Sequence, residues 1–203
     1  MRSLRDTDFD RDALLGCAAI ASLLAPTAVV VAAEYLSVDA AQKAVFPEGT
    51  RFDELVMRPT NEQTQAVLAL AGPQPRRGSL RIWEVRNGEQ LVGHFFVDEV
   101  VGRQDLITYA LGIDADGTLR TPEILAYRES HGGEIRNAAW RKQFTKAHDV
   151  GDLRFRTDIK NIAGATLSCE HVTQGIRFLV ALRDELLETV PDTRTGSLQV
   201  TPD

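Results

Sequence analysis

The chain has 203 residues, 43% of them hydrophobic and 26% charged, with a net charge of −6, so it holds enough apolar material for one real core. Lys and Arg are scattered, and the one short basic cluster, Arg76-Arg77, sits in a Pro/Gly loop, which argues against a nucleic-acid partner. Of the two cysteines, Cys17 lies in an apolar run and Cys169 stands alone in the rest, which leaves no internal disulfide, no CxxCH haem motif and no paired metal-ligand spacing.

Residues 13–33 read ALLGCAAIASLLAPTAVVVAA, an uncharged run of 21 residues. That suits a secretory signal core or a single membrane-spanning helix, which needs about 20 apolar residues. Val31-Ala32-Ala33 offers the small residues a signal peptidase accepts. The mixed charges ahead of the run and its length suit an uncleaved anchor equally. A helix buried in protein is the third reading, and the least suited to a segment apolar on every face. Signal and anchor both put the remainder outside the cytoplasm, either membrane-anchored or periplasmic.

A short helix is expected over residues 38–45, stopped by Phe46-Pro47-Glu48-Gly49. Thr60 opens a second helix, with Gln63 placed to complete a capping box; Val67, Leu70 and Ala71 share one side, and Gly72-Pro73 ends it. After the loop 72–78 the texture changes to strands. Segments 80–86 and 90–98 flank Asn87-Gly88, the strongest short hairpin signal. Segments 106–113 and 118–127 flank Asp114-Ala115-Asp116-Gly117, which reads as a turn, since the later ligands of a calcium loop are missing. A polar, Gly-rich loop at 129–134 leaves the sheet, where functional groups gather. A helix is expected over about 137–147, with Trp140 and Phe144 on one face, and a last amphipathic helix over about 169–189. The fold class is therefore α+β: an antiparallel sheet of about four strands with flanking helices, behind an N-terminal hydrophobic signal or anchor helix. The expected division is 1–33 signal or anchor, 34–79 helical segment, 80–190 folded domain and 191–203 flexible tail.

The segment Ala163-Gly164-Ala165-Thr166-Leu167-Ser168 lies directly before the last helix. Ser168 reads as its N-cap and Glu170 suits the helix dipole. Such a turn favours an anion, because unpaired N–H groups and partial positive charge converge there. Gly164 permits close backbone approach, and Thr166 supplies a hydroxyl.

AGATLS resembles the SGAT(S/T)(S/T) signature of the FMN-binding domain family, which includes the flavinylated subunits of sodium-pumping quinone reductases and Rnf-type complexes. The resemblance runs through GHFFVDEVVGRQDLITYALGIDADGTLRTPEILAYRESHGGEI, through Trp140-Arg141-Lys142-Gln143-Phe144 (the family's W-x-x-Q-F), and through residues 158–162 into AGATLSCEHVTQGIRFL. It covers about residues 92–187. It implies FMN joined through its phosphate to Thr166 by a flavin transferase, with Gly164, Ala165, Leu167 and Ser168 around the attachment point. It also implies a membrane electron donor, a downstream acceptor, and an electron carrier rather than an enzyme with a substrate of its own. Two positions depart from the pattern: Ala163 stands where Ser or Thr is usual, and Lys160 where an acidic residue is usual.

In the loop, Glu129, Ser130, His131, Gly132 and Gly133 stand where the family's ETPGLG-type loop falls. His131 can donate toward the flavin's carbonyl edge or be a satisfied loop histidine. Glu129 can hold His131, hold loop backbone, or be solvated. Trp140 can pack beside the ring or in the core, and Cys169 can sense redox state or be a small buried residue. His94, His148 and His171 have no partner visible in sequence. The rival function is an exported non-flavin structural or binding module that keeps the fold, suggested by Lys160 and Ala163.

Overall fold

The computed structural model describes residues 33–75, 78–129 and 131–187. All but the last residue of the apolar run, as well as Ser130 and the tail, lie outside them. Among the described residues no helix is long and apolar enough to cross a membrane.

Side-chain N-caps open the first two helices. Helix α1 (Val38–Val45) starts at Ser37, whose side chain accepts from the Ala40 N–H. Helix α2 (Asn61–Ala71) carries the full Thr60–Gln63 capping box. Its buried side is Val67 and Ala71, while Leu70 turns outward. Strands β3 (Arg81–Asn87) and β4 (Gln90–Val101) form the Asn-Gly hairpin, with Gly88 at φ 59°. Strand β5 (Leu106–Asp114) leads into the Asp-Ala-Asp-Gly turn, where Gly117 takes φ 91° and Thr118 returns a carbonyl to the Asp114 N–H.

The sheet is larger than four strands. Two short strands, β1 (Ala33–Glu34) and β2 (Arg51–Leu55), add its edges, giving the antiparallel order β1-β6-β5-β4-β3-β2, with β6 at Glu123–Tyr127. The segment 34–79 is thus part helix and part sheet. Strand β6 starts later than the pattern suggests. Pro122, which has no N–H to donate, precedes it, and only an isolated Ile113–Leu119 bridge remains upstream. The helix expected over 137–147 is also broken. A 3₁₀ turn (Gly133–Arg136), four α-helical residues forming α3 (Ala138–Arg141) and a second 3₁₀ turn (Lys142–Lys146) follow one another.

Pleat alternation sorts the sheet's two faces. Phe96, Val100, Ile107, Tyr109, Leu111 and Ile113 face the main core beneath α2 and the last helix, α4 (Thr166–Leu186). Phe95, Val97 and Ala110 face a smaller cluster built with Trp83, Val85 and the Ala41, Val45 and Phe46 side chains around α1. Of the apolar stripe expected of α4, Val172, Ile176, Leu179 and Val180 are buried, Leu187 is half-buried, and Val190 lies outside the described residues. At Gly175, α4 lies against the sheet. A β-carbon there would collide with the Tyr109 hydroxyl and lie 2.8 Å from Val100 Cγ1. That hydroxyl is itself fixed, donating to the fully buried Asp98 at 2.8 Å. Two arginines tie α4 down further along. Arg177 donates to the Val150 carbonyl at 2.9 Å, and the buried Arg183 to that of Ala115 at 3.0 Å.

His94, on β4, is buried with its Nδ1 unpartnered. Burial lowers its pKa to about 4; Glu84 opposes the shift and Arg183 adds to it. The folded chain therefore keeps the ring neutral at pH values where the unfolded chain, near 6.5, takes up a proton. Stability contributed by this difference is complete above about pH 6.5 and is lost as pH falls toward 4. Urea unfolding at pH 7 and pH 4.5 checks this: wild type should lose about 2–3 kcal/mol more than His94→Leu over that interval. Parallel losses in the two proteins would contradict it.

Candidate functional site

The AGAT segment folds as a tight turn feeding α4. Ala165 N–H bonds back to the Ile162 carbonyl at 3.1 Å, and Gly164 takes φ 85°, the positive value that the third position of a type II turn requires. No atom stands within 4 Å of where a Gly164 β-carbon would be, so the turn has an open side. Ser168 is not the N-cap. The helix begins at Thr166, three residues before the expected start at 169, and Ala165 occupies the cap position without any side-chain acceptor. The first N–H groups of a 21-residue helix thus have no capping side chain, which leaves them for an anion. Thr166 is half-buried at the first helical position, and its Oγ1 accepts from Asn161 Nδ2 at 3.0 Å. Leu167 beside it is 44% exposed.

Segment 154–162 has little secondary structure of its own, and side chains hold it in place. Trp140 Nε1 donates to the Lys160 carbonyl at 2.8 Å, and the Lys160 N–H donates to Gln143 Oε1 at 2.8 Å. Trp140 is 4% exposed and packs edge-on against Phe144 at 5.2 Å. Of the two readings of Trp140, the core one describes its contacts: the indole packs in the core and grips Lys160. The Lys160 side chain is exposed and donates to the Thr157 carbonyl at 2.8 Å. Upstream, Arg154 chelates Asp158, and that hydrogen-bonded guanidinium brings the carboxyl down to about 2.

The loop leaving β6 meets this turn. The Tyr127 hydroxyl donates to the His131 carbonyl and lies 3.0 Å from Ser168 Oγ. Ser168 is buried, which explains why it sits inside the helix rather than ahead of it. Gly132 takes a left-handed conformation, φ 89° and ψ 12°. A β-carbon there would fall 2.5 Å from the Tyr127 hydroxyl and 3.1 Å from Ser168 Oγ, so glycine is required on two counts. Burial raises the Tyr127 phenol above its ordinary value, so it stays a proton donor well past neutral pH. Burial also pushes the Cys169 thiol up, and with no exposed surface it is a packing residue rather than a redox sensor.

Glu129 does not reach His131. Its Oε1 accepts from the Gln104 and Asp105 N–H groups at 2.5 and 2.9 Å, bracing the β4–β5 turn. His131 is exposed and, with Gly132, Gly133, Glu134, Arg136 and Gly164, lines a groove of about 390 Å³. The structure therefore brings the His131-Gly132-Gly133 loop and the Gly164–Thr166 turn together across one groove, and sets Glu129 and Trp140 behind it as supports. Ser130 lies outside the described residues. Among the other histidines, His171 Nδ1 lies 2.5 Å from the Val101 carbonyl and His148 Nδ1 3.4 Å from Thr118 Oγ1. Sequence reasoning gave no role to Tyr127, Arg136 or Asn161. Only Asn161 left a signal, a side-chain amide five residues before a threonine at a turn.

Tyr127→Phe should remove both hydroxyl contacts and leave Ser168 Oγ buried without a partner, costing about 1–3 kcal/mol. Amide hydrogen exchange should then quicken together at residues 131–136 and 166–169. Unchanged exchange in either segment would show that Tyr127 does not join them.

Residues 102–181 match the model of the FMN-binding domain family. The match spans β5, β6, the loop, the groove and most of α4, and it implies a flavin-binding redox role with FMN as cofactor. No curated protein matches the chain.

Proposed function

We propose that this chain is an electron carrier outside the cytoplasm whose FMN is esterified through its phosphate to Thr166. The observation that carries the reading is the position of that hydroxyl. It stands at the first residue of a long helix without a capping side chain, beside a glycine turn open on one face and a groove of about 390 Å³. These residues fit a phosphoryl group. The Thr166, Leu167 and Ser168 N–H groups and the helix dipole stabilise its charge, and Asn161 orients the hydroxyl. When bound, FMN supplies a ring that gains and loses one or two electrons. The chain's own part is to fix one end of the cofactor and leave the groove for the rest. A flavin transferase would install it, and a membrane electron donor and a downstream acceptor would flank it in use.

The two departures from the family pattern do not weigh against this reading. Lys160 contributes its peptide to the fold, and its side chain points to the Thr157 carbonyl. Ala163 is an exposed residue of the turn, where no side-chain contact is needed to hold it.

Co-production with a flavin transferase should give protein that stays yellow after denaturation, with one FMN adduct by intact mass. Thr166→Val should lose acid-stable flavin entirely and keep its melting temperature within a few degrees. An adduct mapped to Ser168 or Thr173 would refute the assignment; both are buried within α4.

Location is tested separately. The uncharged run at residues 13–33 is the support for export. Alkaline phosphatase fused after Asp203 should be active, and a cytoplasmic fluorescent reporter dark. Full-length, flavin-free protein found only in the cytosol would defeat export and the carrier role together.

A further inference from the structure

We propose that the charge of Arg136 sets the reduction potential of the flavin in this groove, a role that rests on the assignment of FMN to Thr166. Arg136 ends the 3₁₀ turn that opens at Gly133, and it is held at the groove from two sides. Its Nε donates to the Gly133 carbonyl at 3.2 Å, and its guanidinium lies over the Tyr35 ring, 4.3 Å from the centroid. Among the described residues no carboxylate pairs with it. By contrast, Arg81, Arg120, Arg141, Arg154 and Arg183 each meet one. The groove's lining thus includes the exposed guanidinium-bearing Arg136 and Gly164, two residues from Thr166.

The electron balance gives that cation a consequence. A low-potential electron-transfer protein gives up two electrons, and these enter the flavin with one proton from water, so the ring passes from neutral to singly negative. A fixed positive charge on the groove wall favours the negative product and raises the potential. Glu134, which lines the same groove, acts in the opposite sense. Neither side chain is needed to hold Thr166, so covalent loading is separable from potential.

The test uses the full chain, flavin-loaded by co-production with a transferase, with flavin content and dye-coupled midpoint potential measured on each variant. R136Q should load as wild type does and show a lower midpoint. R136K should recover most of the loss, and E134Q should move the midpoint upward. A fully loaded R136Q with the wild-type midpoint, or an R136K as low as R136Q, overturns the role of Arg136. Should R136Q fold poorly, an E134Q midpoint equal to wild type overturns it as well, because the groove then does not transmit charge to the flavin. Wild type that takes up no flavin at all overturns the attachment reading instead, and this one with it.

Discussion

The peptide of Lys160 is gripped from both sides, its carbonyl by Trp140 and its N–H by Gln143. Segment 154–165 contains only turns and an isolated bridge, whose backbone bonds stay within the segment, so the grip on Lys160 is what ties it to the 138–146 turns. With it, the chain enters the Ile162–Ala165 turn in one direction, and Asn161 reaches Thr166. The W-x-x-Q-F pattern therefore has a mechanical meaning here. Two of its side chains hold the strap that carries the hydroxyl, and the third, Phe144, is buried beneath them.

That strap would matter little if the helix after it could shift. The helix α4, roughly 30 Å long at 1.5 Å per residue, is instead fixed along its length. Gly175 brings it against Tyr109, whose hydroxyl is bonded to buried Asp98, and Arg177 and Arg183 bind carbonyls of two separate loops. At its start, Ser168 meets Tyr127, which also holds the His131 loop. The groove is therefore built from two loops referenced to the same rigid sheet and helix, a condition for holding reacting groups in a constant geometry.

What was legible in the sequence was local. Thr60 with Gln63, Asn87-Gly88 and Asp114-Ala115-Asp116-Gly117 each satisfy themselves within a few residues, and each forms as the pattern indicates. The turn before α4 and the loop after β6 were visible for the same reason. What was hidden depends on distant partners. Strand β2 is charged and half-exposed, Arg-Phe-Asp-Glu-Leu, and is a strand only because β3 pairs with it. Ser168 looks like a cap until Tyr127, 41 residues away, draws it into the core. The helix expected over 137–147 is instead split into 3₁₀ and α-helical turns, although Trp140, Gln143 and Phe144 still reach Lys160 and the core.

The edge strand β1 is only two residues long, yet it determines where the preceding chain departs. Ala33 pairs with Tyr127 and Glu34 with Ala126, and Tyr35 continues onto the Leu125 carbonyl before its ring stacks on Arg136. The apolar run ends at Ala33, so no spacer separates it from the sheet edge beside the groove. A retained run would act as a leash without slack, holding the groove at a fixed height where each inserted linker residue would add at most about 3.3–3.6 Å of reach. Cleavage after Ala33 would instead leave a new ammonium group on Glu34, the residue directly before Tyr35, whose ring Arg136 covers. The short edge strand thus sets the chain after Ala33 beside the groove, through the contact of Tyr35 with Arg136.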